Sequence, residues 1–362
     1  MENLEDNVTV TNAYQCDGCG APLVYKPGSL HLYCSHCGTT KEIDQEEYAI
    51  DELDFNTYVE NYEGENFSST KVVTCSNCKA TPTVNESLKS MHCPYCGSPL
   101  VEDNVHQERY IKPAYVLPFE VDKPQVNVIL TKWINSLWFA PNNLKKAILT
   151  PVNLNGIYLP YWTYDAHTQT TYTGQRGDDY TVTVGSGKNR RTETRTRWSF
   201  ASGTVRNFYD DVLVVGTNTL DGGILKNLGG WNTKAIVKIN DSYLAGFITE
   251  KYQIDIKQAF VIAREIIKTR EREAVKRDIG GDRQRIHTMN TKYFDVTFKH
   301  ILLPIYVSAF HYKSKVYAFY VNGATGRISG KRPYSAFKIA LAVIVGIIVL
   351  AGIIWLFSGE SS

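Results

Sequence analysis

The sequence predicts an α+β protein: two small cysteine-held ribbons, a mainly antiparallel α+β domain, and one C-terminal helix that is apolar on every side. Three observations carry this reading. All eight cysteines fall between residues 16 and 96, in two quartets of identical spacing. The stretch from about 110 to 332 is rich in Tyr, Thr, Val and Trp, residue types that suit a pleated surface. Ile339 to Phe357 is nineteen residues without a charge. With 362 residues, 43% of them hydrophobic and 21% charged, the chain has apolar material for more than one core, which excludes a wholly disordered chain or a fibre.

The first element is a duplicated metal site. Cys16-x2-Cys19 is followed after fourteen residues by Cys34-x2-Cys37, and Cys75-x2-Cys78 after fourteen residues by Cys93-x2-Cys96, an offset of 59. Each C-x-x-C turn aims two thiolates at one ion, and two such turns complete a tetrahedron. Four thiolates leave no open coordination position, so two structural zinc ions are expected rather than catalytic ones. Gly18, Gly20, Gly38 and Gly97 supply permissive backbone at the turns. His31, His36 and His92 lie nearby, but a complete set of thiolates needs none of them. The chain opens Met-Glu-Asn-Leu-Glu-Asp, acidic where a secretory signal is basic and then apolar, so the thiols are expected in a reducing compartment.

These boundaries give a first ribbon at 1–41, a second at 71–105, and an acidic segment at 42–70 between them. That segment interleaves Asp44, Glu46, Glu47, Asp51, Glu52, Asp54, Glu60 and Glu63 with Tyr48, Phe55, Tyr58 and Tyr62, and reads as a solvated linker or a short docking motif. Up to residue 110 there are 6 basic and 18 acidic residues, against 33 and 19 afterwards, so a region at −12 precedes one at +14. Each zinc held by four thiolates lowers the first region further, to about −16. Nucleic acid would be repelled there, which leaves protein recognition as the expected role of the ribbons.

The middle domain, 110–332, begins with a helix over Lys123 to Leu137, entered through Pro124 and apolar at Val126, Ile129, Trp133 and Leu137. Tyr158 to Tyr164 and Leu303 to Phe310 read as two related apolar strands. A polar hairpin lies between them, with Gly185 to Asn189 at its tip and Arg191, Arg195 and Arg197 on its return strand. A second helix over Asp255 to Asp278 stops at Gly280-Gly281. The Gly185-Ser-Gly-Lys188 run is not followed by Ser or Thr and opens no helix, so it reads as a turn and not a phosphate loop. Asp178-Asp179 and Asp210-Asp211 read as turn and surface carboxylates. His167, His287, His300 and His311 show no metal-ligand or catalytic spacing.

The last element, 337–357, spans roughly 28 Å as a helix, close to the hydrocarbon thickness of a bilayer. Arg327, Lys331, Arg332 and Lys338 precede it and Glu360 follows it, which predicts a single-pass inner or plasma membrane protein with its N-terminal part in the cytoplasm. Lys331, Arg332 and Lys338, with Arg191, Arg195 and Arg197, are the candidate contacts to lipid or partner.

The cysteine quartets resemble the zinc ribbons of transcription-factor-type and rubredoxin-like proteins over about residues 12 to 102. With Tyr158-Leu-Pro-Tyr-Trp162, Val321-Asn-Gly-Ala-Thr-Gly-Arg-Ile-Ser-Gly330 and the span after Lys338, the whole layout resembles a family of bacterial tail-anchored double zinc-ribbon membrane proteins. That resemblance implies phage-shock-type or flotillin-like protein partners and a scaffold for envelope stress or membrane maintenance. The function expected is a membrane-tethered cytosolic adaptor that recruits proteins through its ribbons and has no enzymatic activity or small-molecule substrate. Two alternatives stand beside it: a membrane-anchored nucleic-acid binder that uses the +14 domain, and an enzyme housed in that domain.

Overall fold

The computed structural model describes residues 14–44, 48–60, 67–83, 92–144, 154–187, 190–312 and 315–358. Parts of the acidic segment (45–47 and 61–66) and Lys188 and Asn189 of the expected hairpin tip lie outside them.

The first ribbon is a four-stranded antiparallel sheet of β1 (Tyr14–Gln15), β2 (Pro22–Tyr25), β3 (His31–Cys34) and β4 (Thr40–Glu42). The acidic segment follows with β5 (Leu53–Asp54) and α1 (Phe55–Glu60). Strands β6 (Phe67–Val73) and β7 (Val105–Ile111) pair antiparallel and frame the second ribbon. After β8 (Tyr115–Val116) comes α2 (Lys123–Ser136), whose start is closed by Asp122 and Gln125 in a reciprocal capping box with Pro124 in the first turn. The remaining elements are β9 (Asn155–Val184), β10 (Arg191–Val215), α3 (Gly222–Leu228), β11 (Val237–Lys238), α4 (Asp241–Leu244), β12 (Ile248–Thr249), α5 (Ile256–Ile279), β13 (Arg283–Tyr312), β14 (Lys315–Asn322), β15 (Ile328–Gly330) and α6 (Ala336–Ser358).

The main path of the sheet runs β10-β9-β13-β14-β15 with antiparallel neighbours, while β8 joins β13 and β12 joins β9 in parallel. The two related apolar strands pair with each other, Leu303 opposite Leu159 and Pro304 opposite Tyr158. At 30 residues each, β9 and β13 are roughly 100 Å long, far beyond the usual strand. Burial explains how such a length is used. From Gly156 to Ala166 every residue of β9 is buried, so both faces of the sheet are covered there. From His167 to Gly174 exposed or half-buried residues alternate with buried ones, so the outer half is a projecting arm covered on one face only.

The cover on the arm is α5. Ile256, Ala259, Ala263, Ile267, Ala274, Val275 and Ile279 form its buried stripe, and its own capping box uses Asp255 and Gln258. Polar contacts fix its register on the arm: Thr168 and Asn207 donate to buried Glu271 at 2.6 and 2.9 Å, and Tyr172 donates to Asp278 at 2.6 Å. In α2 the buried face is Val126, Leu130 and Ile134, continued by Leu137, and not the Val126, Ile129, Trp133 stripe that spacing suggested; Trp133 only leans on the core from its rim.

The two ribbons lie on opposite faces of the inner half of the sheet. Leu23, Tyr25, Leu32 and Cys34 join one core with Tyr158, Leu302 and Tyr306, while Val73, Cys75, Cys93 and Tyr95 join another with Ile157, Leu159, Ile301 and Leu303. Residues adjacent on a strand point to opposite faces, so the division between Tyr158 and its neighbours Ile157 and Leu159 places one ribbon above the sheet and one below. The acidic segment is tied down as well. Leu53 and Asp54 pair with β13, and Phe55 and Tyr58 are buried against Tyr164 and Phe298, because aromatics spaced three apart on one helical turn share a face.

Candidate metal centres

Each C-x-x-C turn is closed by backbone hydrogen bonds. Cys16 N–H donates to Ala21 O at 2.8 Å and Gly20 N–H to Cys16 O at 2.8 Å, and Cys34, Cys75 and Cys93 each open the same pair of bonds. The residue after the turn must be left-handed, and Gly20, Gly38 and Gly97 take φ between +71° and +79°. In the third turn Lys79 occupies this position at φ +64°.

The thiols converge as the spacing predicts. Within each quartet all four sulfurs lie within 4.8 Å of one another. Cys16 and Cys37 are 3.5 Å apart, Cys19 and Cys34 3.6 Å, Cys75 and Cys96 3.6 Å, and Cys78 and Cys93 3.4 Å. A tetrahedron with zinc–sulfur bonds of about 2.3 Å has edges of about 3.8 Å, so both cages fit such an ion with little adjustment. Their surroundings divide the thiols: burial raises Cys75 and the hydrogen bond with Cys78 raises Cys93, while others are lowered. The hydroxyl and then the backbone N–H of Thr39 hold Cys37 down to about 6, and the Gly18 N–H lowers Cys16. Both clusters can therefore hold a metal ion through cysteine alone. In the first, Cys19 and Cys37 are exposed; in the second, Cys78 and Cys96 are half-buried and their partners buried.

One segment, Tyr243 to Gln253, holds both cages to the body. For the first ribbon, Tyr25 N–H donates to Ala245 O at 2.9 Å, the Tyr25 ring meets Tyr243 edge-on at 5.3 Å, and Val24 packs where a side chain on Gly246 would clash. For the second, Thr83 N–H donates to Thr249 O at 2.8 Å, Gln253 donates to Lys79 O at 2.9 Å, and the Tyr95 hydroxyl donates to Glu250 at 2.5 Å. Glu250 also accepts from Thr217 and Thr219 at 2.9 and 2.6 Å, and burial pushes its carboxyl above the usual range. Tyr95 lies inside the Cys93–Cys96 turn, but nothing in sequence marks its partner 155 residues away.

A second polar cluster that sequence reasoning missed sits where the arm leaves the body. Lys299, 5% exposed, bridges Glu52 at 2.5 Å and Asp211 at 2.9 Å. Burial pushes neighbouring Asp165 up to about 7, with Glu52 adding to the rise. Asp211 is not a surface turn residue: it stands at φ +50° in the β-bulge between Tyr209 and Val212 and donates its N–H to Asp165 at 2.8 Å. The only signal in sequence is a lysine inside the apolar run Phe298 to Leu303. His300 and Glu250 line a cavity of about 310 Å³ with Lys251 and Tyr252, but Glu250 is committed to three hydroxyls and His300 is stacked on Trp162 at 4.5 Å with Nδ1 bonded to Ile111 O at 2.8 Å.

The six candidate basic residues fall into two separate groups. Arg191, Arg195 and Arg197 stand at the tip of the arm, where Glu193 pairs with Arg191 at 2.8 Å and Arg195 at 3.5 Å. Lys331 pairs with Asp221 at 3.2 Å, the Arg332 guanidinium lies 5.4 Å over the Tyr334 ring, and Lys338 is bound to backbone at the start of α6. About 29 residues of strand, roughly 90 Å, separate the groups. Helix α6 is long and apolar enough to cross a membrane, and none of its Ala336–Ile353 stretch is buried.

The chain is similar to the uncharacterized protein YdjG of Bacillus subtilis (strain 168), with 23% identity over 336 residues that cover 91% of this chain and 92% of that one. No family model matches the chain. No solved structure matches it.

Proposed function

We propose that this chain is a tail-anchored double zinc-ribbon protein that serves as a membrane-tethered adaptor, held by α6 with its N-terminal part in the cytoplasm. Zinc in the two cages is structural: it staples one ribbon to each face of the sheet and so stiffens the platform from which the arm projects. The recruiting surface is the arm. The observation that carries this is the face of the arm opposite α5, roughly 60 Å long, where Phe200, Phe208 and Phe294 are 75%, 53% and 44% exposed. Aromatic side chains on a rigid, solvent-facing sheet are interface material. With the ribbons docked against the body, partner recognition shifts from them to this face.

A second reading has one observation in its favour. Arg206 lines a shallow depression with His167, Phe208 and Phe294, a pairing of cation and stacking rings that also suits single-stranded nucleic acid. A photo-crosslinking residue in place of Phe200, in the full chain in its own membranes, separates the two. Crosslinks to protein that disappear when Phe208 is changed to Ser support the adaptor; crosslinks to nucleic acid, or none, overturn it.

A further inference from the structure

Helix α2 ends at Ser136, and the loop after it carries Trp138 and Phe139, 75% and 37% exposed. A tryptophan so exposed gains nothing from the core. The loop is nevertheless held firmly, and held to the first turn of α6. Lys338 Nζ donates to Trp138 O at 3.1 Å, to Ala140 O at 2.8 Å and to Asn142 Oδ1 at 2.8 Å, and Ser335 N–H donates to Phe139 O at 2.8 Å. All three ammonium protons thus have acceptors, which removes the main cost of bringing a lysine to a membrane boundary.

Between the loop and the helix lies a cleft of about 710 Å³, lined by Trp138, Pro141, Phe337, Leu341, Ala342 and Val345. Leu341 and Val345 are five and nine residues beyond Ala336, so the cleft runs roughly 8 to 14 Å along the span from its start. That depth belongs to the outer part of a hydrocarbon layer about 30 Å thick. Phe337, 77% exposed, lines the cleft from the first turn of α6, and Tyr334, 61% exposed, stands two residues before that helix with Arg332 over its ring. Tryptophan, tyrosine and arginine at one level beside an apolar helix are the composition of a membrane interface.

We infer that the Trp138 loop is a second membrane contact, inserted at the boundary between headgroups and acyl chains, and that a bilayer phospholipid fills the cleft between it and α6. This rests on the reading of α6 as a membrane span. Two attachment points, the span and a loop rigidly bonded to it, fix the tilt of the body and so the direction in which the arm projects.

Tryptophan quenching tests this in the full chain, reconstituted in phosphatidylcholine–phosphatidylglycerol vesicles whose acyl chains carry bromine near the carbonyl end. In a Trp355→Phe background, five tryptophans remain, at 133, 138, 162, 198 and 231. Shallow bromines should quench part of this emission, and adding Trp138→Phe should abolish that part. Quenching that is absent, or unchanged by Trp138→Phe, overturns the inference, as it would if a second copy or a partner helix filled the cleft. Trp138→Phe alone, with Trp355 retained and bromine placed at successive depths, reports on the span. If Trp355 is quenched and Trp138 is not, only the second contact fails; if neither is quenched, the membrane reading fails with it.

Discussion

The Tyr95 hydroxyl donates a 2.5 Å hydrogen bond to Oε2 of Glu250, and so joins the turn between Cys93 and Cys96 to a carboxylate that is only 3% exposed. The bond makes the second ribbon part of the sheet's own packing. Ala245, Gly246 and Phe247, a few residues upstream, do the same for the first ribbon, so both cysteine cages and the main fold share one structural segment.

Tyr95→Phe removes the donor while keeping the ring, and leaves Glu250 with two hydroxyl partners. A buried hydrogen bond contributes about 0.5–1.5 kcal/mol, and about 1.5–3 kcal/mol when one partner is charged, so the variant should lose about 0.5–3 kcal/mol in urea unfolding. An unchanged midpoint would show that the ribbon is held by its apolar contacts alone.

Metal removal should be felt on both sides of the sheet. Ribbons of this size cannot keep a core without their ion. Deuterium uptake after chelation should rise within the ribbons and also across Tyr243–Gln253, while the arm under α5 stays protected. Uptake confined to residues before about 105 would contradict the shared segment.

The Asp165 carboxyl gives a pH dependence with a definite sign. Burial first, then Glu52, pushes it up to about 7, whereas in an unfolded chain it titrates near 3.9, roughly the value of a free side chain. The folded protein keeps a proton that the unfolded chain releases. The group's contribution to stability is therefore complete below about pH 4 and is lost as pH rises through about 7. Asp165→Asn keeps the neutral form throughout. The difference in melting temperature, variant minus wild type, should rise between about pH 4 and 7 and level off outside that window; a difference that falls with pH would contradict this sign.

The membrane reading predicts that a chain ending at Ala336 is recovered in the soluble fraction, and that a cysteine in place of Ser361 is labelled from outside intact cells. Labelling only after lysis would reverse the topology.

The cysteine quartets were legible because tetrahedral ligation leaves a fixed spacing in the chain. The terminal helix was legible because its nineteen uncharged residues match the thickness of a bilayer and leave no polar face to turn toward water. The two long helices were legible to within two residues through Pro124, Asp255 and Gly280. The arm was harder to read. Its strands are rich in Thr and Arg with few apolar residues, and what covers one face of them is α5, reached through Tyr172, Ile286 and Met289. The docking of Phe55 and Tyr58 was hidden by the acidic residues around them, since burial of two rings depends on a groove made by Tyr164 and Phe298 more than a hundred residues later. The contacts of Glu250 and Lys299 have no local signature at all, because each partner lies on a different element.

One zinc ion in each cysteine cage is proposed to keep the two ribbons folded against opposite faces of the sheet. Elemental analysis of the full chain, freshly purified in detergent without added metal, tests this most directly. Two zinc ions per chain are predicted, with both lost and the sheet destabilised in a Cys16→Ser, Cys75→Ser double variant. Fewer than about 1.5 zinc per chain, or iron in place of zinc, would contradict it.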